Sequence, residues 1–339
     1  MLGSDWEAFE AAATRVRILN HHEWWDNITY TLDPYVFRSL ACAARGRTGL
    51  LPRLQQLSWE TYNDDIYPHI SLFLSPTITH LDVSVTTGSI ASDRMRFSLL
   101  ASLVSQCPSV SSLKLCAKPQ GSTVHSWRDL FSNHSSSALA SFSLWASLDV
   151  LDLDNVDLST LTDVLAGLAV LTTLKLDRCQ TADPLSPSTV RGFPMLRHLC
   201  MYGSDIDSCL HVLERMSCTP LVHLDLNITL SRESQWAELF RILPDRISRD
   251  SLTTVTFYSP IQDNSGCSVP LCFQTVSPLL QFRHIAQLLH FIALRSCSSL
   301  DLGDSDVACM AKAWPCLKTL VINSPQIVTV SSRLTLRPW

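Results

Sequence analysis

The sequence predicts an α/β solenoid, a parallel sheet assembled one strand per repeat with a helix returning behind each strand. Three observations carry that expectation. A strand phrase with apolar residues at its first, fourth and sixth positions recurs along the chain. A proline precedes it at a fixed distance. Helical patterns fill the intervals.

The phrase is anchored at Leu54/Leu57/Trp59, Ile78/Leu81/Val83, Val110/Leu113/Leu115 and Leu148/Leu151/Leu153. It continues at Leu171/Leu174/Leu176, Leu196/Leu199/Met201, Leu221/Leu224/Leu226, Leu252/Val255/Phe257 and Leu317/Leu320/Ile322. Weaker copies stand at Ala13/Val16/Ile18, taken as the first strand, and at Ile285/Leu288/His290. The middle anchors Leu151, Leu174, Leu199 and Leu224 are 23, 25 and 25 residues apart, whereas Leu113 and Leu151 are 38 apart. With 46% of the chain apolar, such a pattern has little weight alone.

The prolines add to it. Pro52, Pro76, Pro108, Pro194 and Pro315 each sit two residues before a first anchor, and Pro220 sits one before. Proline ends a preceding helix and favours an extended start to the strand. The helical patterns complete the unit. "SDRMRFSLLASLVSQ" from Ser92 starts on an N-cap residue and spaces Met95, Leu99, Leu100, Leu103 and Val104 as a helix does. "DIDSCLHVLERM" from Asp205 and "DSDVACMAKAW" from Asp304 read in the same way.

Neither a lone strand nor a lone helix can bury its apolar face, so the units must stack to close a core. The expected architecture is a leucine-rich-repeat horseshoe, with a parallel sheet on the concave side, helices on the convex side and irregular repeats. A doubly wound sheet also alternates strands and helices, but the chain has no Gly-rich βα turn and its strand phrase is repeated. The chain reads as one domain over residues 1–339, of about 10–11 repeats. Only Cys179 supplies the asparagine or cysteine usual at the ninth repeat position. Lys118, Val156, Ser204 and Thr229 stand there elsewhere, so irregular turns are expected. "TTGSIAS" near Gly88 and "PIQDNSGCSVP" near Gly266 read as loop insertions.

Composition narrows the function. Net charge is −5 and charged residues are 17%, which gives no basic footprint for nucleic acid. Apolar runs such as "VLAGLAVL" from Val164 are too short to span a bilayer. "MLGSDWEAFEAAA" lacks the basic and apolar regions of a signal peptide. A cytoplasmic or nuclear protein is expected. Its twelve cysteines form no CxxC and no ligand quartet, so they read as reduced thiols, with neither metal nor cofactor. No G-x-S-x-G, Walker loop, G-x-G-x-x-G or H-E-x-x-H is present. No catalytic residue is expected, and His198, His223 and Asp225 are the nearest approach to a reactive group.

Side chains alternate along a strand, so the third and fifth positions of each phrase face away from the anchors. That rule places His80, Asp82, Lys114, Asp152, Lys175, His198, His223 and Asp225 on the concave surface. Asp82, Lys114, Asp152 and Lys175 are all fifth residues and alternate in sign, as an ion ladder would. Tyr202 and Tyr258 follow a third anchor and belong near the rim. These ten residues are the candidate protein-binding face, while Trp59, Trp127, Trp145, Trp236 and Trp314 read as core.

"LLPRLQQLSW", "ISLFLSPTITHLDVSV", "LVSQCPSVSSLKL" and "MAKAWPCLKTL" resemble the leucine-rich-repeat part of mushroom-type fungal F-box proteins, over about Arg15 to Asn323. The resemblance implies a non-catalytic substrate receptor of an SCF-type ubiquitin ligase, with an unknown protein ligand. An F-box would hold the Skp adaptor. None is visible before Ala13, so adaptor binding is expected only if an F-box is supplied upstream. "SSRLTLRPW" resembles a repeat cut short. The alternative expectation is a free-standing repeat scaffold, or a truncated remnant with no ligase role.

Overall fold

The computed structural model describes residues 3–22, 33–44, 49–61, 65–87, 100–119, 142–181, 192–229, 233–259, 273–292 and 303–323. They belong to two compact units, Met1–Val164 and Leu165–Trp339. The two loop insertions beyond Thr87 and Ser259, Trp127, the side chain of Trp236 and the final "SSRLTLRPW" lie outside the described residues.

The first unit contains β1 (Ile18–His22), β2 (Gln56–Thr61), β3 (His80–Thr87), β4 (Ser112–Pro119) and β5 (Val150–Asp154). Each pairs in parallel with the next in chain order. The second contains β6 (Thr173–Asp177), β7 (His198–Asp205), β8 (His223–Thr229), β9 (Thr254–Ser259), β10 (Gln287–Ile292) and β11 (Thr319–Asn323), also parallel and in chain order. Helices stand between strands, among them Pro34–Ala43, Ile206–Glu214, Glu233–Arg246 and Asp304–Ala313. Each unit is thus a solenoid-like α/β structure.

The register follows the anchors. Leu57, Leu81, Leu113 and Leu151 oppose one another across β2 to β5, as do Leu174, Leu199, Leu224, Val255, Leu288 and Leu320 across β6 to β11. Leu113, Leu151, Leu174, Leu199 and Leu224 are fully buried. Each such side chain contributes on the order of 2 kcal/mol of hydrophobic stabilisation.

The first strand departs from the expected register by three residues. Ala13 ends helix Gly3–Ala13, and Leu19 and His21 oppose Leu57 and Trp59. Ile18, expected as an anchor, is exposed. The physical reason is a histidine in an apolar slot. His21 is buried with its ring centroid 4.4 Å from that of Trp59, while Phe37 and Phe73 enclose Trp59 at 5.6 and 5.5 Å.

The recurring proline has a different role from the one expected. It occupies the second position of a turn rather than an extended lead-in. The N–H groups of Leu54, Ile78, Val110, Leu196 and Leu317 donate to the carbonyls of Leu51, Ser75, Cys107, Phe193 and Trp314. Proline lies second in each four-residue turn, where its fixed φ fits and its missing N–H is not needed.

A second motif follows the turn. The carbonyl of Arg17 accepts from both Gln55 and Gln56, that of Gln55 from Thr79 and His80, and that of Thr79 from Ser111 and Ser112. Ser111 serves Asp149 and Val150 in the same way. In the second unit Thr172, Arg197, Val222, Thr253 and Ala286 repeat the arrangement. All these bonds are 2.8–3.2 Å long. One carbonyl with two lone pairs satisfies two N–H groups of the next repeat, and the hydroxyls of Thr79, Ser111 and Thr253 also donate to the carbonyls of Gln55, Thr79 and Val222 at 3.2–3.3 Å.

The eighth residue of three successive phrases is left-handed: Asn155 and Arg178, just past their strands, and Gly203, at a register shift within β7, with φ of 56°, 50° and 62°. The ninth residues Val156, Cys179 and Ser204 are buried. Ser204 Oγ accepts from the Cys179 N–H at 3.2 Å. These three phrases share a turn, with serine supplying a hydrogen-bonding group in place of asparagine, whereas β4 and β8 run on through Lys118 and Thr229 and the pairing of β7 shifts between Tyr202 and Ser204, so the turns differ along the chain as expected. Two of the following helices are capped by aspartate: Asp157 accepts from the Ser159 N–H at 2.9 Å and Asp205 from the Ser208 N–H at 2.8 Å. Gly192 meets the preceding repeat so closely that a Cβ would lie 2.1 Å from the Ala166 carbonyl oxygen.

Candidate functional site

In the first unit, strand alternation turns Asn20, Ser58, Asp82, Lys114 and Asp152 to the same face, and the pairing aligns them strand by strand. His80 is exposed, and Asp82, Lys114 and Asp152 are half-buried. Lys114 Nζ lies 3.4 Å from Asp82 Oδ2. Partial burial alone would lower the Lys114 ammonium pKa, but Asp82 and, further down, Asp152 outweigh it and hold the pKa above its ordinary value. Both side chains stay partly open to water, so the contribution of the pair to stability is small. Asn20, Gln56, Ser58, His80, Asp82 and Lys114 line most of a shallow depression of about 230 Å³.

The second unit uses the same strand positions differently. Lys175 is exposed on β6 opposite Cys200. On β7 and β8, His198 opposes His223 and Cys200 opposes Asp225. The two imidazole centroids are 6.0 Å apart. Tyr202 Oη donates to Asp225 Oδ2 at 2.7 Å. Burial, together with the hydrogen bond to that carboxylate, pushes the Tyr202 phenol well above its usual range. Burial lowers the His223 pKa and the neighbouring His198 lowers it further, against an opposing pull from Asp225. The imidazole is thereby biased toward its neutral form. Ligand-type atoms of Cys200, His223 and Asp225 all lie within 4.8 Å of one another, with the thiol buried and the other two half-buried. Tyr258 is half-buried on β9, one strand beyond Asn227, which opposes Tyr202.

The structure brings together Asp82, Lys114 and Asp152 in one row, and His198, His223, Asp225 and Tyr202 in one cluster. His80 borders the first group, and Lys175 and Tyr258 stand on strands flanking the second. Trp59, Trp145 and Trp314 are buried, and the indoles of Trp145 and Trp314 donate to the carbonyls of Cys107 and Leu279. Asn20, Gln56, Ser58 and Cys200 were not among the ten expected residues. Asn20 is hidden by the misplaced first strand. Cys200 sits at a fifth position in the sequence pattern, but nothing there marks it apart from the other cysteines. Among the described residues no helix is long and apolar enough to cross a membrane.

No known family model matches the chain, and no curated protein matches it.

Proposed function

We propose that the chain is a non-catalytic protein-binding domain of the leucine-rich-repeat type, resembling the substrate-recognition part of an SCF-type ubiquitin ligase receptor. The observation that supports this reading is the polar row of the first unit. Main-chain bonds, helped by hydroxyls at the turns, fix its strands without using the outward side chains Asn20, Ser58, Asp82, Lys114 and Asp152, which can therefore vary with a ligand. Alternating charge beside a shallow depression suits a polar protein surface rather than an enclosed small molecule. Recognition proceeds by shape and charge, with no bond made or broken by this chain. The Skp adaptor would be engaged through an F-box joined upstream, not through the repeats.

The test is capture of a partner from lysate by the tagged chain, compared with the Asp82→Lys and Lys114→Glu variants. A protein held by the wild type, released by added salt and lost from both variants at unchanged melting temperature is the expected result. Equal capture by all three forms would overturn the assignment of this face.

A further inference from the structure

We propose that Cys200, His223 and Asp225 form a binding site for a divalent transition-metal ion of the zinc class. The residues come from adjacent parallel strands. His198 and Cys200 are two apart on β7, and His223 and Asp225 are two apart on β8, so each pair projects on one side of its strand. The register sets His198 against His223 and Cys200 against Asp225. Four ligand-type side chains therefore mark the corners of a quadrilateral, about 4.8 Å across the strands and about 6.6 Å along them.

The dimensions suit a small tetrahedral centre. Bonds of about 2.0–2.3 Å place ligand atoms roughly 3.3–3.8 Å apart. The thiol, imidazole and carboxylate atoms already lie within 4.8 Å of one another, so side-chain movements of about one ångström would bring them onto a common ion. His198, exposed beside His223, flanks the remaining coordination position.

The donor set chooses the metal. Sulfur, nitrogen and oxygen together suit zinc and its neighbours, whereas calcium and magnesium require oxygen alone. The surrounding contacts also fit. Tyr202 donates to one oxygen of Asp225 at 2.7 Å, and a carboxylate retains lone pairs for an ion after accepting one hydrogen bond. Such an outer hydrogen bond orients a metal-binding carboxylate. Binding converts the Cys200 thiol to a metal-bound thiolate and releases one proton to solvent. This inference is independent of the protein-binding reading.

Cobalt(II) supplies the test. The full chain is stripped with a chelator, kept reduced and titrated with Co²⁺. Saturation at one ion per chain should give a near-ultraviolet thiolate-to-cobalt band and the visible absorption of a tetrahedral centre, both bleached by Zn²⁺. Cys200→Ser should abolish the thiolate band. His223→Gln and Asp225→Asn should each weaken binding about tenfold or more. Far-ultraviolet circular dichroism of the metal-free variants shows that they fold, and Glu7→Ala, exposed in the other unit, should bind as the wild type does. Absence of a thiolate band in the wild type, or its persistence in folded Cys200→Ser, would overturn the assignment.

Discussion

The outward strand faces of the two units have the same backbone and opposite chemistry. In the first, the fifth positions of the phrases on β3, β4 and β5 hold Asp82, Lys114 and Asp152, of which Lys114 reaches Asp82 and all three still face water in part. In the second, the equivalent positions of β7 and β8 hold Cys200 and Asp225, short groups covered in part by a tyrosine that bonds the carboxylate. The hydrogen bonds that fix strand starts are main-chain bonds in both units. Nothing in the frame dictates the outward side chain, so one architecture supports an exposed ionic row and a half-buried polar cluster.

If the frame is common to both units, equivalent damage should have equivalent effect. Leu113→Asp in the first and Leu174→Asp in the second each place an unpaired carboxylate at a fully buried anchor. Each should cost about 3–5 kcal/mol in chemical denaturation. A loss below about 1 kcal/mol at either site, on this same scale, would show that the two frames differ.

Thiols sharpen the contrast in solvation. Cys116, half-buried on β4 of the ionic row, is pushed up to about 11 by burial, with Lys114 pulling the other way. Its thiolate fraction at about pH 8 should be about a hundredfold below that of an ordinary protein thiol. Iodoacetamide labelling followed by peptide mass spectrometry should show a rate that climbs until the pH nears 11. A rate already level near about pH 9 would remove the argument.

Gly192→Ala tests how tightly a repeat of the second unit fits its predecessor. The added Cβ meets the Ala166 carbonyl oxygen at 2.1 Å, and backbone cannot rotate away as a side chain can. A loss of about 2 kcal/mol in thermal or chemical unfolding is expected. A neutral result would mean that the two segments separate freely.

The smallest effects belong to the outward lysines. Lys114→Ala and Lys175→Ala should each change stability by less than about 1 kcal/mol, because the Lys114 pair is screened by water and salt and Lys175 is exposed. A large fall in melting temperature with Lys114→Ala would mean that the ionic row is committed to the fold rather than available to a ligand.

The strands were legible where the anchors are aliphatic, since leucines two apart at the fourth and sixth positions put one face of a strand into the core. Legibility ended at β1, because His21 fills its slot by packing its ring against Trp59 rather than by being apolar. Proline spacing revealed the repeat but not the turn, as one residue type serves both roles. The eighth-position turn was equally hidden, because Asn155 and Arg178 adopt a left-handed conformation that only Gly203 advertises. Outward positions could be assigned by alternation, which put His198, His223 and Asp225 on one face, and the register then sets Cys200 against Asp225. The Tyr202–Asp225 bond could not be found that way, because it runs diagonally from a seventh position to a fifth on the next strand. Such contacts depend on side-chain reach, about which a periodic pattern says nothing.

The shared carbonyls that start each strand also govern how the chain can be lengthened. The Ser111 carbonyl holds Asp149 and Val150 as firmly as the Arg197 carbonyl holds Val222 and His223. The first pair of strands is separated by a far longer stretch of sequence than the second. Closing a segment of 38 residues instead of 25 costs only roughly 0.4 kcal/mol more in chain entropy. An insertion between repeats therefore leaves the strand frame almost untouched, so that peptide tags or whole domains grafted between Pro119 and Phe142 should be carried without loss of the register on either side.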